Sequence, residues 1–198
     1  MLKTLKQNLK ARSHLSRPQP IIDEKSKNAA VLVVVCGVDD NLELLLTVRS
    51  ENVSRHRGEV AFPGGMWQEG DDSLLETALR EAEEEVGLME SSLELLATLP
   101  SASPMQDHIT VVPFVAYMSR EQKLVAQPSE ISKIFRVPIT YLMNNENYFY
   151  FKKSFDGELF CLPYIDYNGS RIWGFTLKVL VDLLKTSLDA KIHLCFPH

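Results

Sequence analysis

Three glutamates, Glu81, Glu84 and Glu85, follow Arg80 in the run REAEEEVG. At about 100° per residue, a helix through this run brings those three carboxylates to one face and points Glu83 elsewhere. Each like-charged pair at such spacing weakens a bare helix by a few tenths of a kcal/mol, so a cationic partner is expected. Carboxylate oxygens are the ligands that hard divalent cations prefer, and Mg²⁺ keeps positions open for substrate phosphates. The opposing reading is a solvated acidic helix face, the usual fate of a charge run. Upstream, Arg49, Arg55, His56 and Arg57 stand against Glu51 in a basic stretch. Arginine grips phosphate oxygens bidentately, so this stretch reads either as a phosphate-binding loop or as a weakly paired surface loop. Between the two groups lie Gly64 and Gly65, whose missing side chains would let backbone approach a phosphate closely.

Positioning these groups needs a well-ended helix. Ser73 and Glu76 have the spacing of a capping box, and Asp71 and Asp72 lie near the positive end of the helix dipole. Leu75, Ala78, Leu79, Ala82 and Val86 form a narrow apolar stripe, and Gly87 closes the helix. Around it, residues 28–37 (NAAVLVVVCG) read as a strand buried on both faces. Asp39, Asp40 and Asn41 turn the chain into a second strand over 42–49, so the two form a hairpin. Short strands are expected over 58–62, 93–99, 108–118 and 134–137, with Pro113 marking a bulge or an edge. Pro138 starts the next turn or helix. Residues 147–173 alternate aromatic and polar side chains as a β-meander does, and leucine spacing predicts a helix over 174–188. Strands on both sides of one central helix, with a second helix at the end, give an α+β fold, an α/β/α sandwich around a mixed sheet.

The stretch from Gly64 to Leu88 resembles the Nudix box, G-x5-E-x7-R-E-U-x-E-E-x-G-U with U a bulky aliphatic residue. Arg80-Glu81-Ala82-Glu83-Glu84-Glu85-Val86-Gly87-Leu88 matches its second half, with Ala82 small for its place. The first half departs: Asp72 falls seven residues before Arg80, one residue further from Gly65 than usual, and leaves Asp71 and Asp72 competing for the position of the first glutamate. The resemblance implies the Nudix fold and hydrolysis of a nucleoside diphosphate joined to another group.

A second pattern narrows that group. Leu45-Leu46-Thr47-Val48-Arg49-Ser50, Gly58 and Phe62-Pro63-Gly64-Gly65 resemble L-L-T-x-R-[SA]-x3-R-x3-G-x3-F-P-G-G of the coenzyme A pyrophosphatase branch. The two motifs together cover about a fifth of the 198 residues, and weaker likeness continues at Leu99-Pro100-Ser101, Glu130-Ile131 and Trp173-Gly174. The second arginine of the pattern falls on Ser54, so Arg55 or Arg57 must take its part. What the resemblance implies is cleavage of coenzyme A or acyl-coenzyme A into adenosine 3′,5′-bisphosphate and 4′-phosphopantetheine or its acyl form. Glu81, Glu84 and Glu85 would hold Mg²⁺ or Mn²⁺, and Arg80 would orient them; the other reading of Arg80 is an ion pair with Glu76. Arg49, Arg55, Arg57, Gly64 and Gly65 are the substrate-binding candidates. The proton acceptor is a box glutamate or Glu130 on the later loop, unless Glu130 is simply an exposed loop acid; His108 is a more remote candidate. Tyr148, Phe149, Tyr150, Phe151 and Trp173 would stack on adenine, line a pantetheine groove or pack in a core. ADP-ribose or dinucleotide hydrolysis and a non-catalytic nucleotide-sensing module compete with this reading.

The wider composition is compatible. The whole chain reads as one domain, 1–198, with 45% hydrophobic and 24% charged residues. A net charge of -5 argues against general nucleic-acid binding, and no apolar run is long enough to span a membrane. Cys36, Cys161 and Cys195 are sparse and odd in number, which points to a reducing compartment, with Cys36 a buried small hydrophobe. Residues 1–22 contain five basic residues and no acid, with Leu2, Leu5 and Leu9 on one helical face and Pro18 and Pro20 ending the segment. This reads as a docking helix at the domain edge; a subunit contact in a homodimer and a mitochondrial transit peptide are the alternatives. The expected location is cytoplasmic, or mitochondrial in a eukaryote.

Overall fold

The computed structural model describes residues 1–13, 15–20, 27–104, 109–155 and 157–196. His108 and the end of the 1–22 segment, residues 21 and 22, lie outside the described residues. In chain order the elements are α1 (Leu2–Arg12), β1 (Lys27–Val38), β2 (Asn41–Arg49), β3 (Val60–Ala61), β4 (Gly64–Met66), α2 (Leu74–Val86), β5 (Leu93–Thr98), β6 (Ile109–Met118), β7 (Ile131–Pro138), α3 (Ile139–Met143), β8 (Tyr148–Phe155), β9 (Glu158–Tyr167), β10 (Ser170–Trp173) and α4 (Gly174–Leu188).

β1 is the centre of the larger sheet because it is apolar on both faces. Ala30, Leu32, Val34 and Cys36 face α2, while Val33 and Val35 face the layer of α1, α3 and α4. The sheet runs β3-β2-β1-β6-β5, with β4 added on β1 and β7 on β2. β1 and β6 are parallel and the other pairs antiparallel, so the sheet is mixed. Helices cover both faces, giving the α/β/α sandwich. The meander 148–173 forms a separate three-stranded sheet, β10-β9-β8.

Three local expectations are corrected. Gly64–Met66, where no strand is expected, is a short strand, because β1 runs on past its pairing with β2 and offers Ala29, Ala30 and Val31 as partners. β7 begins at Ile131, three residues before its expected start, because its pairing with β2 continues through a bulge beside Val48 and Arg49. Of the two readings of Pro113 the bulge is excluded: it lies inside β6, paired with Val31 on one side and at a local edge on the other. Its carbonyl accepts from Leu99 N–H at 2.9 Å. A residue's N and O point the same way in a strand, so the missing proline donor falls where β5 has already ended.

α1 stops at Arg12, well before Pro18. Ser13 turns extended, and its hydroxyl donates to Thr98 O at 2.9 Å, while Ser16 N–H donates to the Thr98 hydroxyl at 2.9 Å. Leu5 and Leu9 are fully buried against α4, Asn8 donates to Ser187 O at 2.9 Å, and Arg12 pairs with Asp189 at 2.5 Å. The strap then reaches the start of α2, where Leu74 N–H donates to Pro18 O at 3.2 Å. Among the described residues no helix is long and apolar enough to cross a membrane.

Because Leu9 has no exposed surface, Leu9→Ala should lower the unfolding free energy by about 2–5 kcal/mol in urea titration. Lys3→Ala on the exposed side should change it by less than about 0.5 kcal/mol. Equal small losses would show that α1 is not part of the folded core.

Candidate active site

α2 forms as its sequence directs. Ser73 is the N-cap, accepting from Glu76 N–H at 3.3 Å, but the return arm of the capping box goes one residue early: Glu76 Oε2 accepts from Asp72 N–H at 2.5 Å. Gly87 closes the helix at φ 69, donating to Glu83 O. Leu75, Ala78, Ala82 and Val86 are buried as expected, and Leu79 is partly buried beside them. The buried face is wider than that stripe, for it also takes in Thr77 and Glu85.

That Glu85 is buried decides the geometry of the acidic group. Glu85 is 2% exposed and Glu81 17%, whereas Glu84 is 58% exposed. Oxygens of Glu81, Glu85 and Glu130 lie within 4.8 Å of one another. The closest grouping differs from the expected trio: Glu130 comes from the loop before β7 to lie beside Glu81 and Glu85, while Glu84 is on the exposed side, where it accepts from Arg80 Nη1 at 3.1 Å. Burial pushes the Glu85 carboxyl up to about 7; Gly64 N–H, at 3.1 Å, and Arg49 pull it down, and Glu81 and Glu130 add to the rise. Glu81 is also raised, chiefly by burial and against the pull of Arg80. Glu85 sits in the last turn of α2, where the helix dipole is negative and no basic residue is present.

Arg80 holds the arrangement together. Its Nε and Nη2 grip Asp71 at 2.9 and 3.1 Å, Nη1 donates to Glu81 at 2.9 Å as well as to Glu84, and Nη2 reaches Met66 O at 3.3 Å. Each of its five N–H groups thus has an acceptor. The alternative pair with Glu76 does not form. The choice between Asp71 and Asp72 is also decided here: Asp71 is buried and further bonded to the Thr77 hydroxyl at 2.8 Å and Gln68 N–H at 3.3 Å, while Asp72 is exposed. Bonding to Arg80 holds the Asp71 carboxyl below its usual range. Two adjacent aspartates left this open in the sequence, since only folding buries one of them.

The two glycines are required by the fold itself. A Cβ on Gly65 would lie 2.4 Å from the Glu81 carboxylate, and one on Gly64 would lie 2.3 Å from Ala30 O. Their missing side chains make room for the Glu81 carboxylate and for β1, and Gly64 also holds φ at 149. Arg49 ends β2 with Nη1 3.7 Å from Glu85 Oε1, and its buried Nε has no hydrogen-bond partner. Its backbone closes the basic loop through Glu59 O at 3.0 Å and Gly58 N–H at 3.2 Å. Arg57 Nε donates to Val53 O at 2.7 Å, and Arg55 is exposed on the same loop. Of the aromatics, Phe149 and Tyr150 are about half exposed. Tyr148 belongs to the core layer. Phe151 meets Trp173 edge-on at 5.6 Å, so these two pack on each other within the small sheet.

The group suits a hard divalent cation. Oxygens bound about 2.1 Å from Mg²⁺ are at most about 4.2 Å apart across the ion, so these three need only a small closing movement. A cation would also offset the mutual repulsion that adds to the burial-driven rise of Glu81 and Glu85.

A family profile described as NUDIX domain matches residues 26–155. A protein named uncharacterized Nudix hydrolase NudL, from Photorhabdus laumondii, is 33% identical over 170 residues, covering 85% of this chain and 89% of its own. Human mitochondrial coenzyme A diphosphatase NUDT8 is 32% identical over 173 residues, covering 85% and 72%. For Nudix hydrolase 15, mitochondrial, of Arabidopsis thaliana, the identity is 34% over 165 residues, covering 79% of this chain and 57% of that longer protein. Among solved structures, a MutT/nudix family protein from Enterococcus faecalis superposes with TM-score 0.58 at 18% identity, covering 86% of this chain and 66% of that one, which shows a shared fold.

Two predictions test the geometry. Asp71→Ala should cost about 2 kcal/mol, since it leaves two N–H groups of a partly buried guanidinium without acceptors, whereas Asp72→Ala should cost less than about 0.5 kcal/mol; similar values in denaturant melts would refute the choice of Asp71. Glu85 keeps its proton in the folded, metal-free protein from its ordinary 4.5 up to about 7, a window in which the unfolded chain has lost it. The stabilisation is full below that window and is lost as pH rises through 7. The metal-free melting temperature should therefore fall between about pH 5 and 7, Mg²⁺ should bind more tightly toward the upper end, and Glu85→Gln should flatten the slope. A slope unchanged in Glu85→Gln would assign the titration to another group.

Proposed function

We propose, from the premise that this chain belongs to the Nudix hydrolase family of enzymes acting on pyrophosphate bonds, that its substrate is coenzyme A or an acyl-coenzyme A. The products would be adenosine 3′,5′-bisphosphate and 4′-phosphopantetheine or its acyl form. The observation that carries this reading is Arg49 lying 3.7 Å from the Glu81-Glu85-Glu130 group. A cation-binding carboxylate cluster and a guanidinium for a phosphate oxygen adjoin where a diphosphate must lie. The coenzyme A assignment is supported by the Leu45–Gly65 pattern in which Arg49 sits and by the 32% identity to the human coenzyme A diphosphatase.

Glu81, Glu85 and Glu130 would hold Mg²⁺ or Mn²⁺, as Nudix hydrolases generally do. A bound divalent ion supplies charge neutralisation on the diphosphate and a water acidic enough to ionise near neutral pH. The chain's own residues do the rest. Arg80 keeps Glu81 pointed inward through its anchor on Asp71. Arg49 directs its otherwise unpartnered Nε toward phosphate. Glu130, the most exposed of the three acids, accepts the proton of the attacking water. Water adds across the P–O–P bridge, its hydroxyl going to one phosphorus and its proton finally to the departing phosphate oxygen. Arg55 and Arg57 on the loop above Arg49 provide charge for the ribose 3′-phosphate that distinguishes coenzyme A.

Hydrolysis in ¹⁸O-water with coenzyme A, ADP-ribose and NADH side by side, read by mass spectrometry, tests the assignment. Coenzyme A should be cleaved fastest, giving adenosine 3′,5′-bisphosphate; preferential cleavage of ADP-ribose or NADH would overturn it. Replacing Arg55 and Arg57 together by Ala should raise KM for coenzyme A by about tenfold, the effect of losing one charge-assisted contact, with a smaller rise for 3′-dephospho-coenzyme A. Equal rises would remove the loop from 3′-phosphate recognition.

A further inference from the structure

The end of a helix leaves carbonyls without partners inside it. In α2, Leu88 N–H and Gly87 N–H cap Ala82 O and Glu83 O at 3.2 and 2.8 Å. The carbonyls of Glu85, Val86 and Gly87 are met by residues 119–130, the segment that ends in Glu130. Gln127 N–H donates to Glu85 O at 2.9 Å, Val125 N–H to Val86 O at 3.0 Å, and the Gln122 side chain, through Nε2, to Gly87 O at 2.7 Å. As the helix advances from 85 to 87 the loop retreats from 127 to 122, so the two run antiparallel, bonded at three consecutive carbonyls. Gln122 closes the far end doubly, for its Oε1 also accepts from Met89 N–H at 3.3 Å.

The near end fixes Glu130. Its N–H donates to Gln127 O at 3.0 Å and its carbonyl accepts from Ser50 N–H at 2.7 Å, one residue beyond Arg49. The backbone of Glu130 is thereby held between the C-terminus of the acidic helix and the end of β2. Two of the three loop-to-helix bonds are main-chain bonds that any sequence could make. Gln122 contributes the side-chain bond, and it spans the helix cap from Gly87 to Met89. The pairing of Ile131 with Arg49 fixes the strand side of Glu130, and the bonds to the α2 cap fix the loop side.

We propose that Gln122 is a positioning residue: by clamping the 119–130 loop to the C-terminal cap of α2, it sets the Glu130 carboxylate against Glu81 and Glu85. This rests on the reading of Glu130 as the proton acceptor. Gln122 touches neither substrate nor cation, and its effect passes through the loop.

The test is a double-mutant cycle in kcat with Mg²⁺ and whichever of coenzyme A, ADP-ribose and NADH is turned over fastest, so that it does not depend on the coenzyme A assignment. Gln122→Ala should lower kcat about tenfold, short of the roughly hundredfold that a misplacement of about 1 Å can cost, with KM changed less than about twofold. In a Glu130→Gln background, Gln122→Ala should lower kcat by less than about twofold, because the group it positions is already disabled. The same tenfold loss in both backgrounds, or no loss in either, would overturn the proposal. Wild-type kcat in Glu130→Gln alone would overturn it by a different route, by removing Glu130 from the reaction. Should Gln122→Ala unfold, Gln122→Met keeps the side-chain length, loses both hydrogen bonds and repeats the cycle with the same expected outcomes.

Discussion

Like charges held close together set the terms for this molecule. Glu81, Glu85 and Glu130 present oxygens within 4.8 Å of one another, two of them on a face turned away from water and one in the last turn of a helix, where the dipole adds to the repulsion. Such an arrangement is unstable on its own. It persists because neighbouring groups offset it: Gly64 N–H on Glu85, Arg49 nearby, and Arg80 on Glu81. The Glu81 and Glu85 pKa values are raised chiefly by burial, and the neighbouring carboxylates add to the rise. The same crowding of carboxylates would favour a divalent cation, so the strain of the metal-free site and its proposed use have one cause.

Arg80 is where that balance is fixed in space. A guanidinium has five donors in a rigid plane, and here Asp71 takes two of them, which orients the other three toward Glu81, Glu84 and Met66 O. Asp71 is in turn held by Thr77 on the buried side of α2 and by Gln68 in the preceding loop. The orientation of the acidic face thus depends on the loop before the helix. The position of the third carboxylate depends on the loop that meets the helix end. The sandwich supplies both, since β1 carries β4 and the glycine pair on the α2 side while β2 brings Arg49 and Ser50 beside Glu130.

The other face of the sheet serves stability. Leu5 and Leu9 of α1 are buried with α4, and the strap that follows runs along the end of β5 to reach the first turn of α2. The N-terminal segment thereby links the packing layer remote from the acidic group to the helix that bears it.

Much of this was already written in the order of residues. A continuous apolar run marked β1, a turn marked the hairpin to β2, and alternating and helical spacings marked the meander and α4, because each of these signals is local. The Arg80–Leu88 run and the Leu45–Gly65 pattern announced phosphate chemistry, since ligand types and spacing within one helix or one hairpin survive in sequence. Tertiary structure alone decided what depends on which side of an element is covered. It buried Glu85 and left Glu84 outside, chose Asp71 over Asp72, turned Gly64–Met66 into a strand, and filled the space beside Gly65 with Glu81. It also brought Glu130, 45 residues along the chain from Glu85, to the same point. No local spacing encodes those outcomes, because each follows from a partner supplied by a distant segment: β1 for the glycines, the loop at Gln68 for Asp71, and the closed end of α2 for the loop that carries Glu130.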